Sequence, residues 1–110
     1  MKKLTINEQI FLISIWHLGD EAYGLKIRER VMELTGSQVL FGTIYNTLEY
    51  LVKKNYIVPR KENPDLEKQD SKRVYYHITK EGYEALQRAR KLQKTLWKGV
   101  PDFVFGKRNK

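Results

Sequence analysis

The stretch GTIYNTLEYL at 42–51 gathers side chains that can exchange hydrogen bonds: Thr43, Tyr45, Asn46 and Glu49. Ile44, Leu48 and Leu51 follow at i, i+4 and i+7, so they share one face of a helix. At 100° per residue, Tyr45, Asn46, Glu49 and Lys53 crowd the opposite face, with Thr43 near the helix start. An ordinary solvated face would carry mostly Glu and Lys. This one offers an amide that donates and accepts, a hydroxyl and a phenol. The chemistry such a set supports is recognition of a polar surface rather than bond making. Lys53, Lys54, Arg60 and Lys61 surround it, and Glu49 is the one acid across 43–61, so the neighbourhood is locally basic.

Other chemistries find little support. The 110 residues contain no Cys, which excludes disulfides, Cys-ligated zinc and thiol nucleophiles. His17 and His77 fall in different predicted elements and read as structural residues, so neither a metal nor a cofactor is expected. Ser14, Ser37 and Ser71 offer no plausible nucleophile–base pair, and there is no Gly-rich phosphate loop, so no enzyme activity is expected. No apolar run approaches the roughly 18–20 residues that span a bilayer, and no signal-peptide core follows MKKLT. The expected location is the cytoplasm. The net charge of +8 suggests a polyanion partner, but residues 88–110 hold eight Lys/Arg against one Asp, whereas 1–87 are nearly neutral.

The elements that must position the 42–51 face follow from periodicity. A first helix is predicted over about Ile6–Leu18, opened by a Thr5/Glu8 capping box and stopped at Gly19-Asp20. Its apolar residues lie all round, which implies burial all round. In so small a chain part of that surface calls for a second subunit, and Phe11 and Ile15 are the residues expected to meet it. A second helix spans about Tyr23–Leu34, with Ile27, Val31 and Leu34 inward and Thr35-Gly36 as the stop. The third runs from Gly42-Thr43 to about Lys54, and Asn55 can provide a left-handed stop. Period-two strands are predicted at Tyr56–Arg60 and Arg73–Ile78, joined by a polar segment with turn chemistry at Asn63-Pro64-Asp65. Thr79 caps a fourth helix, roughly Lys80–Lys98, in which Ala85, Ala89, Leu92 and Leu96 form a coiled-coil-like seam read as a dimer interface.

Three helices, a hairpin and a further helix make a mostly α, α+β architecture: a winged helix-turn-helix over 1–79, a dimerisation helix over 80–98 and a basic tail over 99–110. In that arrangement the third helix buries its Ile44/Leu48/Leu51 face and shows the other beside the wing. A helix of this width fits the major groove of B-DNA. Asn46 can pair with an adenine edge, and Thr43 with phosphate, a base edge or a thymine methyl. Tyr45 can either reach phosphate or pack on the wing. Glu49 either accepts from cytosine or orients a neighbour. Lys53, Lys54, Arg60 and Lys61, with Lys68, Lys72 and Arg73 on the wing, supply phosphate neutralisation.

The segments AYGLKIRERV (22–31), FGTIYNTLEYLVKKNYIV (41–58) and KRVYYHITKEG (72–82) also resemble the short PadR-type transcriptional regulators. With the first helix they span nearly the whole chain. The resemblance implies a homodimeric winged-helix repressor whose last helix packs on the partner's first helix, and which binds an inverted repeat near its own promoter. It also implies a possible hydrophobic or aromatic effector at the dimer interface. Trp97 would line that pocket, with Phe11 and Ile15 beside it, or else belong to the dimer core. A winged helix can also act as a protein–protein adaptor without reading DNA. An adaptor would show apolar residues on the 43–53 face, whereas this face is polar with basic flanks.

Overall fold

The computed structural model describes residues 3–61 and 73–103. The elements run α1 (Ile6–Leu18), a 3-10 turn (Gly19–Glu21), α2 (Gly24–Thr35), α3 (Phe41–Lys53), β1 (Ile57–Lys61), β2 (Val74–Ile78) and α4 (Lys80–Trp97). The architecture is a winged helix, as the sequence predicts. The turn expected at Asn63-Pro64-Asp65 lies outside the described residues, as does Lys68.

The α1 N-terminus closes as its capping box requires: Thr5 Oγ1 accepts from the Glu8 N–H at 3.1 Å, and the Glu8 carboxylate accepts from the Thr5 N–H at 2.8 Å. Asn55 ends α3 in the left-handed region, with φ of 65°. The hairpin is antiparallel, with Ile57 opposite Ile78 and Arg60 opposite Tyr75. The sheet gains a partner that periodicity does not reveal. Tyr23 bridges to Tyr75, and the Tyr76 N–H donates to the Ala22 carbonyl at 2.8 Å. The residues entering α2 are therefore extended and act as a third strand of one bridge, which ties α2 to the wing.

The core is one cluster: Phe11, Leu12 and Ile15 of α1, Ile27 and Val31 of α2, Ile44, Leu48 and Leu51 of α3, with Ala22 and Ile57. Two sequence expectations change here. Leu34, expected inward, is 47% exposed, because the core closes at Val31 and the last turn of α2 runs past it. Phe11 and Ile15, expected at a subunit interface, are 1% and 2% exposed inside their own chain. The face of α1 left open is Ile6, Ile13 and Trp16, on the other side of the helix.

Helix α4 is locked at its start and open along its length. Thr79 Oγ1 accepts from the Gly82 N–H at 3.0 Å and donates to the Asn55 carbonyl at 2.7 Å, joining the wing exit to the end of α3. Gly82 lies so close to β1 that a Cβ there would strike the Tyr56 carbonyl oxygen and approach Ile78 Cγ2 at 2.8 Å. Ala85 is buried and Leu86 packs against the core, but Tyr83, Leu92, Leu96 and Trp97 are exposed. No described helix is long and apolar enough to cross a membrane.

Candidate nucleic-acid interface

Because α3 buries Ile44, Leu48 and Leu51 completely, its opposite face is fixed in orientation by the core. Gly42, Asn46, Glu49 and Lys53 run along the middle of that face at helical spacing, and all are exposed. Thr43 and Tyr50 flank it on one side and Tyr45 on the other. At Gly42 a Cβ would meet nothing within 4 Å, so the helix backbone is open to close approach at this point. Leu40, the N-cap, is exposed and its side chain caps none of the first-turn N–H groups of α3. Arg28 of α2 braces this entry: its Nε donates to the Val39 carbonyl at 2.6 Å, and its guanidinium carbon lies 4.3 Å from the centroid of the Phe41 ring.

Tyr45 makes a contact within the chain that neither alternative foresaw. Its ring packs over the start of α2, with Cζ 2.8 Å and Cε1 2.9 Å from where a Gly24 Cβ would stand and the hydroxyl closer still. Only glycine at 24 leaves room for it. Half of Tyr45 remains exposed, at 49%. On the wing side, Tyr76 faces the same cluster. Burial raises its phenol above the ordinary value, and Tyr45 and Glu49 add to the shift. Glu49 thus has Tyr76 of the wing as an electrostatic neighbour.

The basic residues divide into two groups. Lys53 and Lys54 close α3, about 15 Å along the axis from Thr43 at 1.5 Å per residue. Lys54 Nζ lies 5.7 Å from the Tyr50 ring centroid. Arg60 belongs to β1 of the wing, and Arg73 immediately precedes β2. Arg60 pairs with Tyr75, so their side chains leave the same, outer face. Arg73 lies over the Tyr23 ring at 4.0 Å from its centroid, and its Nη1 donates to Tyr75 Oη at 3.3 Å. Lys72 lies outside the described residues.

Five residues of this surface are missed by spacing arguments: Tyr23, Gly24, Arg28, Tyr75 and Tyr76. For Tyr23, Gly24, Tyr75 and Tyr76 the only signal is the Tyr-Gly and Tyr-Tyr pairs inside the segments quoted above, and Arg28 has none of its own, since these contacts join separate parts of the chain. The expected pocket of Phe11, Ile15 and Trp97 is not assembled within the chain: the first two are core and Trp97 is 57% exposed at the end of α4. Among the described residues no cluster of His, Asp and Glu could hold a metal ion.

The model of the PadR-like family of transcriptional regulators matches residues 14–88, from the middle of α1 into α4. The chain belongs to that family. A PadR family transcription regulator from Clostridium difficile R20291 is 29% identical, with a TM-score of 0.65, covering 83% of this chain and 91% of that one. RosR of H. salinarum is 28% identical, with a TM-score of 0.63, covering 93% and 83%. F93 from STIV, described as a winged-helix DNA-binding protein, superposes with a TM-score of 0.65 over 86% and 95% at 18% identity, a likeness of fold alone. No match was found among curated protein sequences. The family is one of transcriptional regulators.

Proposed function

We propose that this PadR-family regulator binds operator DNA as a homodimer and acts as a repressor. Each subunit lays α3 in a major groove, and the two helices stand roughly 34–36 Å apart, one turn of B-DNA. The observation that carries the reading is the outer face of α3: exposed, polar, held rigid by a fully buried inner face, and bare of side chain at Gly42. Asn46 reads a base edge from the middle of that face, Thr43 works at its entry, and Tyr45 reaches the sugar–phosphate backbone from its flank. Arg60 and Arg73 neutralise phosphates beside it, as do Lys53, Lys54 and Lys72.

The dimer forms through α1 and α4. Ile6, Ile13 and Trp16 of α1 and Leu92, Leu96 and Trp97 of α4 leave a broad apolar surface, and apolar grooves lie on both sides of the α1–α4 packing. Ala89 of the seam lines one of them. Burying this surface against a second copy also pairs two recognition helices, which an inverted repeat requires. A small aromatic effector that binds beside Trp97 and shifts the dimer angle releases DNA, through its differential affinity for the two dimer states.

The test is a gel-shift titration on the DNA upstream of the protein's own gene, against scrambled DNA at matched salt. The expected result is preference for the upstream fragment, abolished by Asn46→Ala without loss of folding. Equal binding to both fragments by the wild type would instead favour an adaptor with a basic surface.

A further inference from the structure

The turn that leads into α3 carries no cation of its own. Between Glu33 and Lys53 the sequence has neither Lys nor Arg, and the basic residues assigned to the interface stand at the far end of α3 or on the wing. The fold supplies a cation from α2. Arg28 donates through Nε to the Val39 carbonyl at 2.6 Å, and its guanidinium carbon lies 4.3 Å from the centroid of the Phe41 ring. Val39 precedes α3 and Phe41 is its first residue, so the guanidinium is fixed at the helix entry. Asn46 lies further along the same helix, about 7.5 Å from Phe41 at 1.5 Å per residue. With Asn46 over a base edge, the entry of α3 comes to the wall of a major groove about 12 Å wide.

Both contacts leave the charge of Arg28 in place. A carbonyl and a phenyl ring are neutral, and among the described residues no carboxylate pairs with Arg28. With Nε engaged, the end of the fork remains. Among the described residues Nη1 and Nη2 make no hydrogen bond, and neither is a buried atom lacking a partner, so both reach solvent. Two N–H groups side by side in one plane match the oxygens of a phosphate. An arginine on a solvated surface samples many rotamers and must lose that freedom when it binds. Held at Nε and stacked on a ring, Arg28 has lost much of it already. We infer that Arg28 is a DNA phosphodiester contact at the entry of α3, and that Phe41 is a positioning residue that holds its guanidinium in place. The inference rests on the DNA-binding reading given above and adds to it a residue outside α3 and the wing. A phosphate contact carries no sequence information, so its contribution is the same on every duplex.

The test uses the full chain and a mixed-sequence duplex, titrated by fluorescence anisotropy at several salt concentrations. Arg28→Gln removes the charge, while its amide nitrogen stands where Nε stood and can still donate to the Val39 carbonyl. It is expected to weaken binding about five- to tenfold near 0.1 M salt and to lower the slope of log affinity against log salt by about 0.9, one phosphate contact. Arg28→Lys keeps the charge and loses the fork, so the slope is expected to stay while affinity falls about two- to fivefold. Phe41→Leu is expected to cost about two- to fivefold, the range of a partly exposed cation–π contact, and nothing further in the Arg28→Gln background. Arg30, on the same helix but paired with Glu33 at 2.8 Å, is the control, and Arg30→Gln is expected to leave the slope as it is. A purely structural brace predicts the reverse: Arg28→Gln with unaltered affinity and slope, and Arg28→Lys as the worse of the two. That pattern overturns the inference, as does a slope that falls equally for Arg30→Gln. A Phe41→Leu cost that persists without Arg28 overturns the positioning role of the ring. Failure of the operator reading shows separately, as wild-type protein that does not distinguish upstream from scrambled DNA.

Discussion

Helices α3 and α4 are both amphipathic, yet the chain treats them in opposite ways. Every apolar residue on the inner face of α3 is buried within the protomer, at 0–1% exposure for Ile44, Leu48 and Leu51. On α4 only Ala85 is fully buried among the apolar residues, and Leu96 is 60% exposed. The first helix sits between these cases, with Phe11, Leu12 and Ile15 inside and Ile6, Ile13 and Trp16 outside. An apolar stripe announces that a face must be covered. It does not say whether the cover belongs to the same chain. For α3 the cover comes from its own chain, chiefly α2 and β1, so its polar side is free for a partner. For α4 the stripe itself is the surface left for one.

The contrast can be tested by substitutions on either side of it. Leu48→Ala, in the inner face of α3, is expected to cost about 2–5 kcal/mol in a urea titration, the range for a buried leucine that leaves a cavity. A cost under about 1 kcal/mol would mean that α3 is less firmly seated than its burial implies. Gly82→Ala comes next, at about 1–3 kcal/mol, because the added methyl meets the Tyr56 carbonyl rather than a movable side chain. The same change at Gly42, where space is open, is expected to raise stability through helix propensity by about 0.5–1 kcal/mol while weakening DNA binding. Stable protein with undiminished DNA affinity would show that α3 does not approach DNA closely there. Ser14 offers a gain of similar size. Its hydroxyl is fully buried without a hydrogen-bond partner among the described residues, so Ser14→Ala is expected to raise the midpoint of thermal unfolding, by about 1 kcal/mol in stability. A lower midpoint would reveal a partner for that hydroxyl.

Leu96→Glu is expected to change protomer stability least, within about 0.5 kcal/mol, since the side chain is exposed. Its effect should appear in mass instead. Sedimentation is expected to find the wild type as a dimer and the variant as a monomer. A variant that stays dimeric would remove the α4 seam from the interface and leave its exposed leucine and tryptophan unexplained.

The sequence by itself determined the elements and their order. Capping at Thr5 and Thr79, the left-handed stop at Asn55 and the change from helical to alternating periodicity after residue 55 are local signals, set by backbone hydrogen bonds within a few residues. The exposed polar face of α3 was legible for the same reason. When Ile44, Leu48 and Leu51 point inward, helical geometry sends Asn46 outward. Tertiary structure alone decided which stripe of α1 is core, because a helix apolar on all sides carries no sign of the direction from which it is covered. It also decided the neighbours of Arg73 and Tyr45. Tyr23, Gly24, Tyr75 and Tyr76 meet only after the residues before α2 pair with β2, and a contact between distant segments leaves no periodic mark on the chain.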